Sequence, residues 1–162
     1  MATPDFIHAL RAKVGHAPLW LMSATAVVVR PSPDRAGVRE VLLAHRADFL
    51  TWATIGGIID PGEQPAVAAA RELLEEAGIV AEPETLAWVH VQDPAVYPNG
   101  DHVQFLDLTF RFRWVSGEPY PADGENLEVR WFDEDALPRL SAEMSARVAA
   151  VLDGGEVTRF ES

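Results

Sequence analysis

Three glutamates in a short alanine-rich stretch are the residues best placed to do chemistry. Glu72, Glu75 and Glu76 stand at positions i, i+3 and i+4, so a helix would bring their carboxylates to one face. Arg71 can pair with Glu75, but Glu72 and Glu76 would still face each other as like charges. A hard divalent cation would turn this repulsion into attraction. The spacing therefore predicts a cation site able to hold a diphosphate, whereas the plainer alternative is the solvated acidic face of an ordinary helix.

The elements that must position these carboxylates are a loop, a helix and a second loop. Pro65 suits the first helical turn and Gly78 suits the position just past the helix end. Upstream, Gly56 and Gly57 allow bare backbone to approach a ligand. At 100° per residue the apolar side chains fall opposite the glutamates, so the pattern predicts a packed face and an acidic face turned away from the core. The predicted packing positions are Ala66, Val67, Ala70, Leu73, Leu74 and Ala77.

Residues 57–79 closely resemble the Nudix box of the Nudix hydrolases. The pattern is Gly, five residues, Glu, seven residues, Arg-Glu-Leu, one residue, Glu-Glu, one residue, Gly-Ile, and every specified position is met. Those positions are Gly57, Glu63, Arg71, Glu72, Leu73, Glu75, Glu76, Gly78 and Ile79. One departure lies just before the box, where Ile55 stands in place of the proline found in many members.

This resemblance implies an α/β fold, the Nudix α/β/α sandwich around a mixed β-sheet. It also implies a diphosphohydrolase that cleaves a nucleoside diphosphate linked to another moiety, with Mg²⁺ as cofactor or Mn²⁺ in its place. Arg71 would pair with Glu63 to orient the helix, and would count with Glu75 and Glu76 among the catalytic residues. The implied metal ligands are Glu72, Glu75, Glu76 and the backbone carbonyl of Gly56. With no cysteine and no paired histidine spacing, zinc or thiolate chemistry has no support.

The general base is expected outside the box, on the polar loop from Gly117 to Glu128. Glu125 is the preferred catalytic residue there, and Glu128 is the second choice. Asp123, Glu118 or a glutamate of the box are further alternatives. Each loop acid can equally be a solvated surface group.

Substrate contacts are expected from aromatic side chains that can stack on a base and from polar side chains that can read ribose or a base edge. The candidates are Trp52, Tyr97, Phe105, Asp101, His102 and Gln104. Ordinary core packing and an ordinary hairpin loop are the plainer alternatives. ADP-ribose or another nucleotide sugar is the preferred substrate. The alternatives are a nucleoside triphosphate, intact or oxidised, and a catalytically idle nucleotide-sensing domain.

Composition bounds the remaining classes of function. With 162 residues, 48% of them hydrophobic, the chain suits one globular domain. We expect a helical extension over residues 1–19, a Nudix domain over 20–153 and a tail over 154–162. The net charge of −12 argues against nucleic acid as a partner. No apolar run approaches 18 residues, so we expect a cytoplasmic protein that does not bind membranes. A homodimer is compatible with the resemblance.

The remaining elements follow from periodicity and turn signals. Strands are expected at Ala24–Arg30, Val38–His45, Leu86–Gln92, Val103–Val115 and Val129–Phe132, the first two as a hairpin. Helices are expected from Asp5 to Gly15 and from Ser141 to Leu152. Apolar residues change parity within the strand that begins at Val103, which predicts a bulge near Phe105 and Leu106.

Overall fold

The computed structural model describes residues 3–97, 99–155 and 157–161. In these residues the chain forms three helices: α1 (Asp5–Val14), α2 (Pro65–Ala77) and α3 (Ala142–Asp153). It also forms nine strands: β1 (Leu19–Pro31), β2 (Arg39–Arg46), β3 (Trp52–Ala53), β4 (Ile55–Ile58), β5 (Val80–Val91), β6 (Ala95–Val96), β7 (His102–Ser116), β8 (Asn126–Asp133) and β9 (Arg159–Phe160).

All nine strands of the described residues join one mixed sheet built around β1. Strand β1 runs parallel to β7, from the pair Leu19 and Val103 to the pair Val29 and Arg113, and antiparallel to β2 and β4. The order across the sheet is β3-β2-β1-β7-β5-β9, with β4 beside β1, β6 beside β7 and β8 beside β2. The predicted β1–β2 hairpin and the predicted mixed sheet are therefore confirmed.

Helices α2 and α3 cover opposite faces of this sheet. Alternate residues of a strand point to opposite faces, so even- and odd-numbered residues of β1 enter different cores. The core under α2 includes Leu73, Ala77, Ala24, Val28 and Phe112. The core under α3 includes Val148, Val151, Val27, Val41 and Leu43. The predicted α/β/α layering is confirmed.

Strand β7 has no bulge where the sequence predicts one. Its pairing with β1 is unbroken through Phe105 and Leu106, so that prediction is wrong. Beyond Phe105, the face directed towards α3 carries Asp107 and Thr109, which are polar but fully buried. Hydrophobic alternation could not reveal this face because buried polar side chains occupy it. The extra residues of the β5–β7 pair lie elsewhere: two are on β5, between Pro83 and Thr85 and between Leu86 and Trp88, and one is on β7, between Trp114 and Ser116.

Helix α1 is held to the sheet by apolar packing and by the side chain of Arg11, whose Nη2 donates to the carbonyl of His102 at 2.9 Å. Ile7 is buried in a small cluster with Val103. The Nε of Arg11 lies 3.2 Å from an Oδ1 of Asp101, and the Nδ1 of His16 lies 2.9 Å from the same oxygen. His16 lowers the pKa of Asp101, which keeps that carboxylate charged beside Arg11. Helix α1, in the predicted extension, therefore packs against the sheet.

Asp101→Asn should loosen α1 without destabilising the sheet. The charge that pairs with Arg11 and His16 is removed, whereas a surface ion pair contributes little to global stability. We expect the amides of α1 to exchange with solvent up to about fivefold faster, while those of β1 and β7 keep their rates. Hydrogen exchange resolved by residue measures this. Asp93→Asn, at an exposed acid of the same region, is the control, and equal exchange in both variants would contradict the proposed anchor.

Candidate active site

The box helix begins and ends where its sequence indicates. Pro65 occupies its first turn. Gly78 has φ of 66° and its backbone N–H donates to the carbonyls of Leu73 and Leu74, which closes the helix with a left-handed residue. Loop 117–125 packs against this end, since the N–H of Tyr120 donates to the carbonyl of Ala77 and that of Ala122 to the carbonyl of Glu76.

The burial of the helix differs from the prediction. Glu72 and Glu76 are only 4% and 3% exposed, whereas Val67 and Leu74 are more than half exposed. The small side chains of Ala68 and Ala69 bring the helix close to the sheet, and loop 117–125 covers its far end. The prediction that the glutamates face away from the core is therefore wrong for Glu72 and Glu76, and it holds for Glu75, whose side chain is 56% exposed. Two carboxylates lie inside the protein, where an uncompensated charge is costly.

The surroundings of Glu76 disfavour its charged form. Its Oε2 accepts a hydrogen bond from the Nδ2 of Asn126 at 3.0 Å, while its Oε1 is buried without a hydrogen-bond partner among the described residues. Burial raises the pKa of Glu76 to about 7, opposed by the Asn126 hydrogen bond and reinforced by repulsion from Glu72. Burial likewise raises the pKa of Glu72. A bound cation would favour the charged form of Glu76, whereas Glu72 already has the guanidinium of Arg71 as a positive partner.

In metal-free protein, Glu76→Gln should therefore raise stability at high pH. A carboxyl whose pKa is higher in the folded than in the unfolded state gives stability that is lost as pH rises from about 4.5 to about 7. Glutamine has no such loss, so with chelator present the variant should exceed wild type at pH 8 by on the order of 2–3 kcal/mol. The difference should shrink towards zero near pH 4. Urea unfolding at several pH values measures this.

Glu134→Gln is the control for this pH dependence. Arg39 lowers the pKa of Glu134, so that carboxylate gives stability above its unfolded pKa that is lost as pH falls. Its replacement should lower stability at pH 8, the opposite sign. A Glu76→Gln variant no more stable than wild type at pH 8 would show that the carboxylate is not held in an unfavourable environment.

Arg71 organises the other acids of the box. Its Nε and Nη2 donate to the two carboxylate oxygens of Glu63 at 2.9 and 3.0 Å, which is the ion pair expected from the resemblance. Its Nη1 donates to Glu72 at 2.8 Å and to Glu75 at 3.2 Å. This pairing lowers the pKa of Glu63. One guanidinium therefore fixes the side chains of three glutamates.

The donor set fits a hard cation although no preformed cage is present. Within residues 3–97, 99–155 and 157–161, no three Asp, Glu, His or Cys side chains converge at the distances of a metal site. Arg71 holds Glu72 and Glu75 by hydrogen bonds, and Glu76 carries the unpartnered oxygen. Carboxylate oxygens, one of them buried and unsatisfied, are the ligands that Mg²⁺ and Mn²⁺ take.

Gly56 lies on the strand that leads into the box. It faces Thr25 across the antiparallel pair of β4 and β1. A Cβ at this position would lie 2.5 Å from the carbonyl oxygen of Ala24 and 2.8 Å from the Cα of Thr25, so only glycine permits this approach of two backbones. The close pairing fixes the Gly56 peptide at the rim of a cleft.

That cleft has a volume of about 1010 Å³ and opens between α1, α3 and the loops after β2 and β5. Six of the residues predicted from sequence line it: Trp52, Gly56, Tyr97, Asp101, Phe105 and Glu125. Gln104 does not line it, because its amide Nε2 donates to the carbonyl of Gln92 at 3.1 Å and Gln92 occupies the wall instead. Asp101 lines it while holding Arg11 and His16.

The box carboxylates lie next to this cleft rather than in its lining. Asn126, the partner of Glu76, directly follows Glu125, and the carbonyl of Glu125 accepts from the N–H of Ala47 at 2.9 Å. Arg46 lines the cleft and lies near enough to Glu76 to interact with its charge. The other candidate bases, Glu118, Asp123 and Glu128, do not line the cleft. Of the four loop acids, the structure therefore brings Glu125 to it.

Sequence reasoning missed the cleft residues of α3 and β1. Glu143, Met144 and Arg147 line the cleft from α3, and Thr25 lines it from β1. Arg147 is a charged residue, yet it is only 5% exposed. It lies on the same buried side of α3 as Val148 and Val151. A cation beside an apolar stripe was the available signal.

Comparison with known proteins decides the family. The NUDIX domain profile matches residues 20–152. The chain belongs to the Nudix hydrolase family. This family hydrolyses phosphoanhydride bonds, and the match spans the box, strands β2 to β8 and all but one residue each of β1 and α3. The boundaries predicted for the extension, domain and tail remain predictions.

Individual Nudix relatives are similar over different parts of the chain. The NAD-capped RNA hydrolase NudC of Pseudomonas aeruginosa is 34% identical over 108 residues, 65% of this chain and 36% of that protein. A MutT-like protein of Streptomyces ambofaciens is 33% identical over 138 residues, 85% of this chain and 80% of that protein. This chain thus spans about a third of the length of the first relative.

A solved structure supports the Nudix fold. The crystal structure of a UDP-X diphosphatase superposes with a TM-score of 0.67 at 19% identity, over 97% of this chain and 74% of the other. At that identity the likeness concerns the fold alone. Among the described residues, none of the helices is long and apolar enough to cross a membrane.

Proposed function

We propose that this protein is a Mg²⁺-dependent Nudix pyrophosphohydrolase that cleaves the diphosphate of a nucleoside diphosphate linked to another moiety. The observation that carries the proposal is the buried, unpartnered Oε1 of Glu76 on the box helix, beside a cleft of nucleotide size. Burying a charged carboxylate without a cation is unfavourable. A divalent ion bound to Glu76 would offset this cost.

The residues that would hold the ion are Glu72, Glu75, Glu76 and the carbonyl of Gly56. When bound, Mg²⁺ or Mn²⁺ neutralises the charge of the diphosphate and lowers the pKa of a coordinated water. Arg71 restrains the side chains of Glu72 and Glu75, and Asn126 restrains that of Glu76. These contacts would pre-orient the ligands before the substrate arrives.

Glu125 is the proposed general base. It lines the cleft next to Asn126, so its carboxylate is carried on the segment that also holds Glu76. A base must lie within hydrogen-bond reach of the proton that it removes from the attacking water. The N–H of Glu125 is held by Asp123 and its carbonyl by Ala47, which fixes the backbone from which the side chain extends.

The preferred substrate is ADP-ribose or another nucleotide sugar. A cleft of about 1010 Å³ is at the upper end of ligand pockets, which suits a substrate with a moiety on each side of its diphosphate. Trp52 offers an aromatic wall whose ring is held by an edge contact with Phe132 at 4.8 Å. The relative NudC acts on NAD-capped RNA, and NAD also carries a moiety on each side of a diphosphate.

The test is a substrate panel with a separate test of metal binding. Purified protein is incubated with nucleotide sugars, dinucleotides and nucleoside triphosphates in Mg²⁺, and products are separated by chromatography. A nucleoside monophosphate released from a nucleotide sugar would support the proposal. Turnover confined to triphosphates would instead identify nucleoside triphosphates as the substrate class. Mg²⁺ or Mn²⁺ alone should raise the Tm of wild type and not that of Glu76→Gln. Nucleotide binding without any turnover would indicate a sensing domain.

A further inference from the structure

Segment 46–51 joins β2 to β3 and is closed by its own hydrogen bonds. The backbone N–H of Arg46 donates to the carbonyl of Thr51 at 2.9 Å, and that of Leu50 donates to the carbonyl of Arg46 at 3.1 Å. The guanidinium of Arg46 donates to both carboxylate oxygens of Asp48, at 2.9 and 2.6 Å. The Oδ1 of Asp48 also accepts from the N–H of Phe49 at 2.9 Å. These contacts restrain the backbone from which the Phe49 side chain extends.

This segment carries a strained residue and two exposed apolar side chains. Leu50 has φ of 52°, and no other non-glycine residue among those that the structure describes has a positive φ. The left-handed conformation is unfavourable for a side chain of this size. Phe49 and Leu50 are 61% and 66% exposed, so burial of their apolar surface does not offset the strain. Such backbone outliers concentrate at ligand sites, which makes this segment a candidate for binding.

Phe49 lines the cleft, as do Arg46 and Asp48 of the same segment. Tyr97 lines the cleft too, and it is 43% exposed. Partial burial raises the pKa of Tyr97, and the charges of Arg46 and Asp48 also act on it, so the phenol lies near that ion pair. The Cζ of Arg46 lies 5.8 Å from the centroid of the Phe49 ring. Two accessible aromatic rings therefore lie beside the same ion pair in the cleft.

Trp52, a stacking residue expected from the sequence, is already engaged by protein groups. Its half-buried ring lies 5.0 Å from that of His45 and 4.8 Å from that of Phe132, and the guanidinium of Arg130 lies 5.3 Å from its centroid. Among the described residues, the Phe49 ring has one such contact, with a guanidinium. An exposed and little-engaged ring at the cleft wall is available to a ligand, so Phe49 is better placed to stack than Trp52.

We infer that Phe49 stacks on the nucleobase of the substrate, with Tyr97 as a second aromatic wall. The inference rests on the proposed function for the class of substrate, a nucleotide. A phenyl ring has no hydrogen-bonding atom, so it does not recognise a ribose hydroxyl or a phosphate. Every nucleobase presents a π-face that stacks on aromatic side chains. Purines have the larger face and should therefore bind more tightly than pyrimidines.

Phe49→Ala and Phe49→Trp test the stacking contact. The side chain is exposed, so both variants should fold. The probes are AMP, GMP, CMP and UMP, titrated by calorimetry with chelator present, so that no hydrolysis is required. Phe49→Ala should weaken AMP and GMP by about 5- to 100-fold, whereas Phe49→Trp should bind them at least as tightly as wild type. With a substrate that turns over, Phe49→Ala should raise KM by the same factor while kcat changes less than about threefold.

Phe160→Ala is the matched control, since Phe160 is also an exposed phenylalanine and does not line the cleft. It should bind every mononucleotide like wild type. Ribose 5-phosphate, which lacks a base, should bind wild type and Phe49→Ala equally. Phe49→Leu keeps an apolar side chain but has no ring, and it should bind AMP and GMP less tightly than wild type. This variant separates stacking from a general hydrophobic contact.

The inference fails if Phe49→Ala binds AMP and GMP like wild type, if wild type binds no mononucleotide, or if Phe49→Ala weakens ribose 5-phosphate as much as AMP. It also fails if Phe49→Trp binds no better than Phe49→Ala. Failure of the proposed function is distinguishable. Wild type would then turn over no member of the substrate panel, while mononucleotide binding would still depend on Phe49.

Discussion

Glu76→Gln should lower kcat in saturating Mg²⁺ by at least about 10³-fold while the protein remains folded. The substitution keeps the volume and the hydrogen bond to Asn126 but removes the charge that would bind the ion. Loss of a principal ligand removes several kcal/mol of transition-state stabilisation, and each 1.4 kcal/mol is a factor of ten in rate. Initial rates on the best substrate of the panel, at several Mg²⁺ concentrations, measure this.

Two controls separate the charge of Glu76 from a general effect of removing an acid. Glu134→Gln removes a paired carboxylate outside the cleft and should keep wild-type kcat. Glu75→Gln removes a candidate ligand that is exposed and shares Arg71, so its loss of rate should be smaller than that of Glu76→Gln. If Glu76→Gln retained more than a tenth of wild-type kcat, Glu76 would not be a principal metal ligand.

The box helix was predictable because its signals are local. Pro65 and Gly78 mark its ends, and the Arg71–Glu63 pair joins residues separated by one loop. The burial of Glu72 and Glu76 was not predictable from the same window. It depends on loop 117–125, which is distant in sequence and packs across the end of the helix. Helical periodicity assumes that charge faces water, and this assumption fails where a site buries its carboxylates.

The residues that line the cleft could likewise be predicted only in part from the sequence. Tyr97, Phe105 and Glu125 were reachable because aromatic and acidic residues on loops and strand ends suggest binding. Gln104 was predicted to contact the substrate, but Gln92 lines the cleft in its place, because the lining depends on which amide side chain turns inward in the β5–β7 pairing. The place of Arg147 in the cleft could not be predicted from sequence, because its contacts are with Asp107 and Thr25 on other elements. Contacts between distant segments carry this information, and sequence spacing does not.

The two halves of the site lie on different sides of the sheet. The box helix packs on the face of Ala24 and Val28, whereas Thr25 lies on the opposite face and lines the cleft. Under the proposed function, a substrate in the cleft would reach the carboxylates past strand β4, which pairs with β1. Gly56 lies at this edge, paired with Thr25 and also lining the cleft. The position of its peptide consequently affects both halves.

Gly56→Ala should impair both stability and turnover. The added methyl would lie 2.5 Å from the Ala24 oxygen and 2.8 Å from the Thr25 Cα. Both are backbone atoms of the central strand, so β4 must move instead. Overpacking of this kind costs about 1–3 kcal/mol, and displacement of the Gly56 carbonyl by even 1 Å can cost about 10²-fold in rate. Urea unfolding and kcat, measured on the same preparation, test the two effects together.

Gly37→Ala separates steric displacement from backbone strain. Gly37 has φ of 80° and nothing within 4 Å of an added Cβ, so alanine there meets conformational strain alone. We expect a loss of about 1–2 kcal/mol with unchanged kcat, since Gly37 is remote from the cleft lining. Gly56→Ala should show both losses, because the displacement of one strand causes them. A Gly56→Ala protein with reduced stability but full kcat would show that the Gly56 carbonyl takes no part in the chemistry, and would leave the metal to the three glutamates.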